Sequence, residues 1–312
     1  MKKLAYMQIF MYFCTQKQNI MDLRGLGTAL ITPFDANGAV DYEALDRLLE
    51  VQLRGGVDYI VVLGTTGEAV TLTEEECHSV RQYIVQYING RLPLVLGVGG
   101  NCTAAVIASL QAMHDELCSN HAAILSVCPY YNKPSQEGLY LHFSSIAQAS
   151  PIPVILYNVP GRTGVNLLPE TVMRIYNACP KRILGIKEAS GNIEQIKKLI
   201  TLARGTDLLV ISGDDALACQ VMKAGGAGLI SVASNAWPKE IATIVHHKNH
   251  ALQERFEPMI NLIFKEGNPS GIKTVLAQQG LISNVLRSPL VPNSPAVQEE
   301  IAAARRQLST EE

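Results

Sequence analysis

Residues 183–190, ILGIKEAS, set one lysine near the end of an otherwise apolar run. Two isoleucines, a leucine and a glycine precede Lys187, the pattern of a strand buried in a parallel sheet. Desolvation penalises a charged amine there, and the chemistry that uses a neutral one is attack on a carbonyl to form a Schiff base. The plain alternative is a lysine just past the strand end whose ammonium snorkels to water. Alternation puts Ile183, Gly185 and Lys187 on one face, with Leu184 and Ile186 on the other. With that face inward, Gly185 leaves room below the lysine and the amine points up and out of the sheet.

An imine-forming lysine needs a proton shuttle and a grip on its substrate. Tyr157, in ILYNVPGRTG, is the candidate shuttle; a core tyrosine with a bonded hydroxyl is the alternative. GTTGE, at 64–68, offers the hydroxyls of Thr65 and Thr66 and a run of backbone N–H groups, a cradle for a carboxylate. Alone it is equally a plain glycine turn. Arg162, in GRTG, could clamp a second carboxylate bidentately, and spacing alone leaves a solvated loop arginine open. His246, His247 and His250, in HHKNH, have the i, i+4 spacing of a metal pair, but they lie far from these motifs. A solvated helix face is preferred there, and no metal is assigned.

These side chains need a frame that gathers them. Strand-like runs occur at 27–33, 59–64, 93–99, 122–128, 153–159, 183–189, 208–213 and 228–233. Amphipathic stretches separate them, several opening on cap residues: Asp41, Thr73 with Glu76 three later, and Asn192. Repeated strand–helix units predict an α/β fold of the (β/α)8 TIM-barrel type over 21–245, with a C-terminal helical segment over 246–312. The rival, an open doubly wound sheet, would use GVGGN at 97–101 as a dinucleotide loop, but the G-x-G-x-x-G spacing is missing. Barrel chemistry sits at the C-terminal strand ends. Those ends carry GTTGE, PYYN (129–132), Tyr157, Lys187, SGDD (212–215) and GLISV (228–232).

Composition narrows the function. The 312 residues are 47% hydrophobic and 17% charged, enough for a large core, and the net charge of −2 gives no footing for nucleic acid. Seven cysteines, at 14, 77, 102, 118, 128, 179 and 219, include no C-x-x-C pair and suit a reducing cytoplasm. Residues 1–20 begin with a basic and then apolar run, MKKLAYMQIFMYFC. It lacks a small-x-small cleavage site and is too short to span a membrane, so a dispensable extension is expected.

GTTGE, PYYNKPSQEGLY, ILYNVPGRTG, GIKEASG, SGDD and GLISV, in this order, closely resemble the dihydrodipicolinate synthase family. The resemblance is dense over 24–235 and looser in the tail, where NPSGIK (268–273) departs from the family's NPIPVK. It implies condensation of pyruvate with L-aspartate 4-semialdehyde in diaminopimelate and lysine synthesis, without metal or organic cofactor, in a homotetramer built as a dimer of dimers. It further implies Lys187 as the imine-forming residue and Tyr157 as its proton donor and acceptor. Thr65 would link Tyr157 to Tyr131, which the adjacent subunit supplies. Thr66 and nearby amides would hold the pyruvate carboxylate, Ile230 would line that pocket, and Arg162 would bind the semialdehyde carboxylate.

Sibling pyruvate-imine aldolases, such as N-acetylneuraminate lyase and ketodeoxy sugar-acid aldolases, share the lysine and tyrosine. The sialic-acid lyases resemble GSTGE where this chain has GTTGE, and they lack an arginine matching GRTG. A catalytically dead, small-molecule-sensing barrel would have a broken residue set, whereas Lys187, Tyr157, Thr65 and Tyr131 are all present. Lysine-inhibited members resembling this chain use a tyrosine matching Tyr130 and an Asn-x-x-x-Glu pattern. Here Asn101 is followed by Ala105 at the glutamate position, and two histidine positions are Glu74 and Cys77. His78 is adjacent, but one helical residue is a turn of about 100°. Weak or absent feedback inhibition by L-lysine is expected.

Overall fold

Eight parallel strands, joined in sequence order, close into one barrel: β1 (Gly25–Ala29), β2 (Tyr59–Val62), β3 (Leu94–Gly97), β4 (Ala123–Val127), β5 (Val154–Asn158), β6 (Ile183–Glu188), β7 (Leu209–Ser212) and β8 (Gly228–Ser231). β8 returns to β1 with Gly25 opposite Gly228 and Thr28 opposite Ser231. This is the (β/α)8 architecture that the repeated units imply. The computed structural model describes residues 22–310, so the expected extension over residues 1–20 lies outside them.

Most of the strands end one to three residues earlier than their apolar runs. Strand β2 stops at Val62, and the backbone turns at Leu63, where φ is 54°. The surplus residues leave the hydrogen-bond ladder to build the loops at the barrel mouth. Both faces of each strand are buried, which makes the runs continuous rather than alternating. Val61, Val95, Leu125, Ile155, Ile211 and Ile230 fill the interior. Ile60, Leu96, Ile124, Leu156, Ile186 and Val210 pack outward with the helices.

Strand β6 departs from simple alternation. Its register against β5 shifts between Val154–Ile183 and Ile155–Gly185, leaving one extra residue. Ile183 therefore joins the outer core and does not share the face of Lys187. Gly185 does not leave empty space either: a Cβ there would lie 2.5 Å from the Leu209 carbonyl oxygen of β7. Its role is close strand approach.

The barrel helices are α1 (Tyr42–Gly55), α2 (Glu74–Ile88), α3 (Thr103–Ala112), α4 (His114–Asn120), α5 (Gln136–Ala149), α6 (Pro160–Thr163), α7 (Pro169–Ala178), α8 (Ile193–Leu202), α9 (Ala218–Ala224) and α10 (Pro238–His247). The expected caps form: Asp41 accepts from Ala44 N, and Asn192 from Glu194 N and Gln195 N. Thr73 and Glu76 make a full capping box on α2.

The tail adds α11 (His250–Phe264), α12 (Ser270–Gln278) and α13 (Pro295–Thr310). Helix α10 ends at left-handed Lys248 and Asn249 caps α11, so His246 and His250 lie on different helices. Their i, i+4 spacing is not a helical one. His246, His247 and His250 are all exposed, as a solvated face implies, and His246 Nε2 also lies 2.7 Å from Asp58 Oδ2 at the base of the barrel, where the same oxygen accepts from Leu26 N at 2.6 Å. Among the described residues no group of three or more His, Cys, Asp or Glu could hold a metal ion. No helix among them is long and apolar enough to cross a membrane.

Candidate active site

Lys187 is 6% exposed and projects into the barrel at the end of β6. Tyr157 is its register partner on β5, and the amine lies 4.4 Å from the centroid of the tyrosine ring. No carboxylate pairs with Lys187 among the described residues. Gly213, just after β7, completes the wall. A Cβ there would fall 2.9 Å from Lys187 Cε and 2.7 Å from Ala189 Cβ. Ile230 on β8 is fully buried in the same interior layer. Just past it, Asp215 accepts from Ser231 Oγ at 2.5 Å and Val232 N at 3.0 Å, which pins the end of β8. Burial pushes the Asp215 carboxyl up, and these hydrogen bonds oppose that.

Behind the Lys187–Tyr157 pair, the next residue of each strand points outward. Glu188 Oε2 accepts from Asn158 Nδ2 at 2.9 Å and from Gln195 Nε2 at 3.2 Å. Asn158 also donates to Asn166 Oδ1 at 2.8 Å and accepts from Leu167 N at 2.9 Å. This buried network ties β5 and β6 together one residue from the reactive side chains, so their relative position is set by directional bonds.

GTTGE forms a single 3₁₀ turn over Thr65–Gly67, closed by Gly67 N to Gly64 O and Glu68 N to Thr65 O. Thr32 Oγ at the end of the β1 segment donates to Gly67 O at 2.7 Å. Thr66 is buried, and its Oγ accepts from Asn268 Nδ2 at 2.9 Å. Glu68 is buried, left-handed at φ 52°, and ion-paired with the fully buried Lys273 of α12. Burial pushes the Lys273 ammonium down to about 8, against the raising pull of Glu68.

The loops after β4 and β5 meet at the rim. Tyr131 N donates to Thr163 O, and Tyr131 holds φ 78° with 88% of its surface exposed. Arg162 is exposed on α6, and its Nη2 donates to Asn268 O at 3.2 Å. Thr65 is exposed as well, and among the described residues no hydrogen bond joins it to Tyr157 or Tyr131. Thus Lys187, Tyr157 and Ile230 are gathered in the barrel and Thr66 and Arg162 meet at Asn268. The Tyr157–Thr65–Tyr131 link is not made within one chain.

Three residues to which the sequence assigned no role stand beside these: Gly213, inside SGDD, and Asn268 and Lys273, the two ends of NPSGIK. Lys273 carried a legible signal. Like Lys187, it interrupts an apolar run, here with Ile272, Val275 and Leu276 around it, all buried. Asn268 and Gly213 lie in quoted motifs, but nothing local marked their contacts with Thr66 and Lys187, because these partners lie far away in sequence.

A closed (β/α)8 barrel with a buried amine and a tyrosine at neighbouring strand ends defines a class, the barrels equipped to work on a carbonyl compound. A model of the dihydrodipicolinate synthetase family matches residues 22–308. The 4-hydroxy-tetrahydrodipicolinate synthase of Porphyromonas gingivalis is 46% identical over 294 residues, 92% of this chain and 97% of the relative. The dihydrodipicolinate synthase structure from Thermotoga maritima superposes with a TM-score of 0.87 at 37% identity, covering 92% of this chain and 99% of that one. The chloride-inhibited enzyme from Acinetobacter baumannii, complexed with pyruvate, gives 0.87 at 38% identity over 92% and 99% of the two chains. The chain belongs to the dihydrodipicolinate synthetase family.

Proposed function

We propose that this chain is a 4-hydroxy-tetrahydrodipicolinate synthase, a lyase that condenses pyruvate with L-aspartate 4-semialdehyde through an imine on Lys187. The observation that carries this reading is the buried Lys187 amine, 4.4 Å from the Tyr157 ring centre in a barrel of this family. The amine attacks the pyruvate ketone, and the carbinolamine loses water to leave the imine. Loss of a methyl proton gives the enamine, whose carbon attacks the semialdehyde carbonyl; the new alkoxide takes up a proton. The semialdehyde's own amine then attacks the imine carbon, closing the ring and releasing Lys187.

Tyr157 is the proton donor and acceptor in these steps. Thr66 and the neighbouring amides hold the pyruvate carboxylate, with Ile230 lining the pocket. Arg162 binds the semialdehyde carboxylate; its exposure at the rim suits a group that meets an incoming substrate. Tyr131 acts in a partner copy, with Thr65 as the link, which accords with its 88% exposure in a single chain. The assembly is a homotetramer, a dimer of dimers, working in the cytoplasm, where the free cysteines suit a reducing setting.

Feedback by L-lysine is weak or absent. A cavity of about 240 Å³ lies beside Asn101, Ala105 and Tyr130, and Ala105 offers it no carboxylate for an ammonium. His78 turns toward Glu116, 3.7 Å away, and Cys77 Sγ toward Ala69 O. Half-inhibition at submillimolar lysine would contradict this part of the reading.

Borohydride reduction with pyruvate tests the whole. One reduced pyruvate adduct on Lys187, together with condensation of aspartate semialdehyde and no cleavage of N-acetylneuraminate, is expected. Mixed Lys187→Ala and Tyr131→Phe subunits should regain activity that neither has alone; exchanged mixtures that stay inactive would refute the shared site.

A further inference from the structure

The GTTGE turn is held from outside the barrel, by the tail. Residues 268–273 touch it at both ends. Asn268 Nδ2 donates to Thr66 Oγ, and Lys273 Nζ pairs with Glu68. Both partners of that ion pair are 0% exposed at their side chains. Around it the chain closes a larger charge network. Arg287 N donates to Glu68 Oε2 at 3.2 Å, and its guanidinium bonds Thr71 O, Gly38 O and both oxygens of Glu76. The Lys273 amine also donates to Val285 O at 3.1 Å and lies 4.1 Å from the Phe34 ring centre.

Such an arrangement is a poor way to gain stability. Burying two charges costs about as much as their attraction returns, and an apolar pair of equal volume often does as well. What it supplies is direction. Glu68 sits between two 3₁₀ turns, Thr65–Gly67 and Ala69–Thr71, in a left-handed conformation that a glutamate adopts only when its surroundings enforce it. Its N–H closes the first turn on Thr65 O and its carbonyl closes the second, from Thr71 N. Anchoring the carboxylate therefore orients the peptide planes of the turn that carries both threonines.

We propose that Lys273 is a positioning residue for the reaction: by anchoring Glu68, it holds the Thr65–Thr66 turn in the geometry that grips the pyruvate carboxylate. This rests on the carboxylate-cradle reading of that turn given above. It assigns the C-terminal segment a part in substrate binding, although Lys273 touches neither substrate nor reacting atoms.

Two variants separate this role from a structural one. Lys273→Met leaves Glu68 buried and unpaired, whereas Glu68→Gln/Lys273→Met leaves no buried charge and should melt near the wild-type temperature. The double variant still lacks the directional anchor. Its KM for pyruvate should remain raised about tenfold or more, with kcat changed much less and with borohydride still trapping pyruvate on Lys187 at saturation. Lys273→Met should show the same rise if it folds, and if it does not, the double variant carries the test alone. A double variant that recovers both its melting temperature and a KM within threefold of wild type overturns the proposal, because Lys273 would then serve folding only. If wild-type protein itself traps no pyruvate, it is the reading of the site that fails.

Discussion

Among the described residues two lysines are buried, and they are buried differently. Lys187 ends a barrel strand with a tyrosine ring beside it and no carboxylate partner among the described residues. Lys273 lies in a tail helix, paired with Glu68 and bonded to Val285 O. An amine already committed to an anion and a carbonyl cannot readily form a covalent bond. One left beside a ring, in a wall trimmed by Gly213, can. The same residue type thus serves chemistry in one region and geometry in the other, and its partners decide which.

Activity should separate the two most sharply. Lys187→Ala should abolish borohydride trapping and lower turnover by at least about a thousandfold, since among the described residues no other lysine is buried in the barrel interior. Stability should reverse the order. Lys273→Met should cost about 3–5 kcal/mol in urea unfolding, because Glu68 is left as an unpaired buried charge. Lys187→Met, which breaks no ion pair, should stay within about 1 kcal/mol of wild type. Equal losses of stability from the two would erase the distinction.

The wall beside Lys187 offers a finer probe. A methyl group at Gly213 would press on both Lys187 Cε and Ala189 Cβ. Gly213→Ala should slow imine formation roughly 10- to 100-fold in stopped-flow trapping, as a displacement of about 1 Å at a reacting group does. Unchanged trapping would mean that the lysine is not held by this contact. Arg162→Ala should leave trapping intact and raise the KM for the semialdehyde about thirtyfold, the loss of about 2 kcal/mol from one charge-assisted clamp.

The smallest effect lies at the outer end of the Lys273 network. The Glu76 carboxyl is held down to about 2, first by its hydrogen bonds to Arg287 and then by the Thr73 backbone N–H, with burial opposing. A carboxyl lowered on folding adds stability that is complete above its unfolded value near 4.5 and is lost as pH falls from there toward 2. The urea midpoint of wild type should therefore converge on that of Glu76→Gln as pH falls from about 5 toward 2. A gap that stays constant with pH would show that Arg287 does not depend on this carboxylate.

Much of the barrel was legible because its signals are local. Apolar runs of strand length, the caps Asp41, Thr73 and Asn192, and the order of the motifs need only a few neighbouring residues to act. Placing Lys187 and Tyr157 near two strand ends followed from the same local pattern. Ile183 shows where it stops: strands buried on both sides carry no record of which face is inward, and a bulge shifts the count by one. The i, i+4 spacing of the histidines at 246 and 250 misleads for a related reason, since a helix end at Lys248 is invisible to it.

By itself the sequence determined the eight-unit barrel, the buried amine, and the set of groups fit for carbonyl chemistry. What surrounds them follows from contacts between distant segments. Thr66 meets Asn268 across 202 residues, and Glu68 meets Lys273 across a comparable stretch of chain. Alternation and capping are energies of adjacent residues and leave a periodic trace in the chain. A hydrogen bond or ion pair between distant segments leaves none, because its partners become neighbours only when the barrel closes and the tail packs over its mouth.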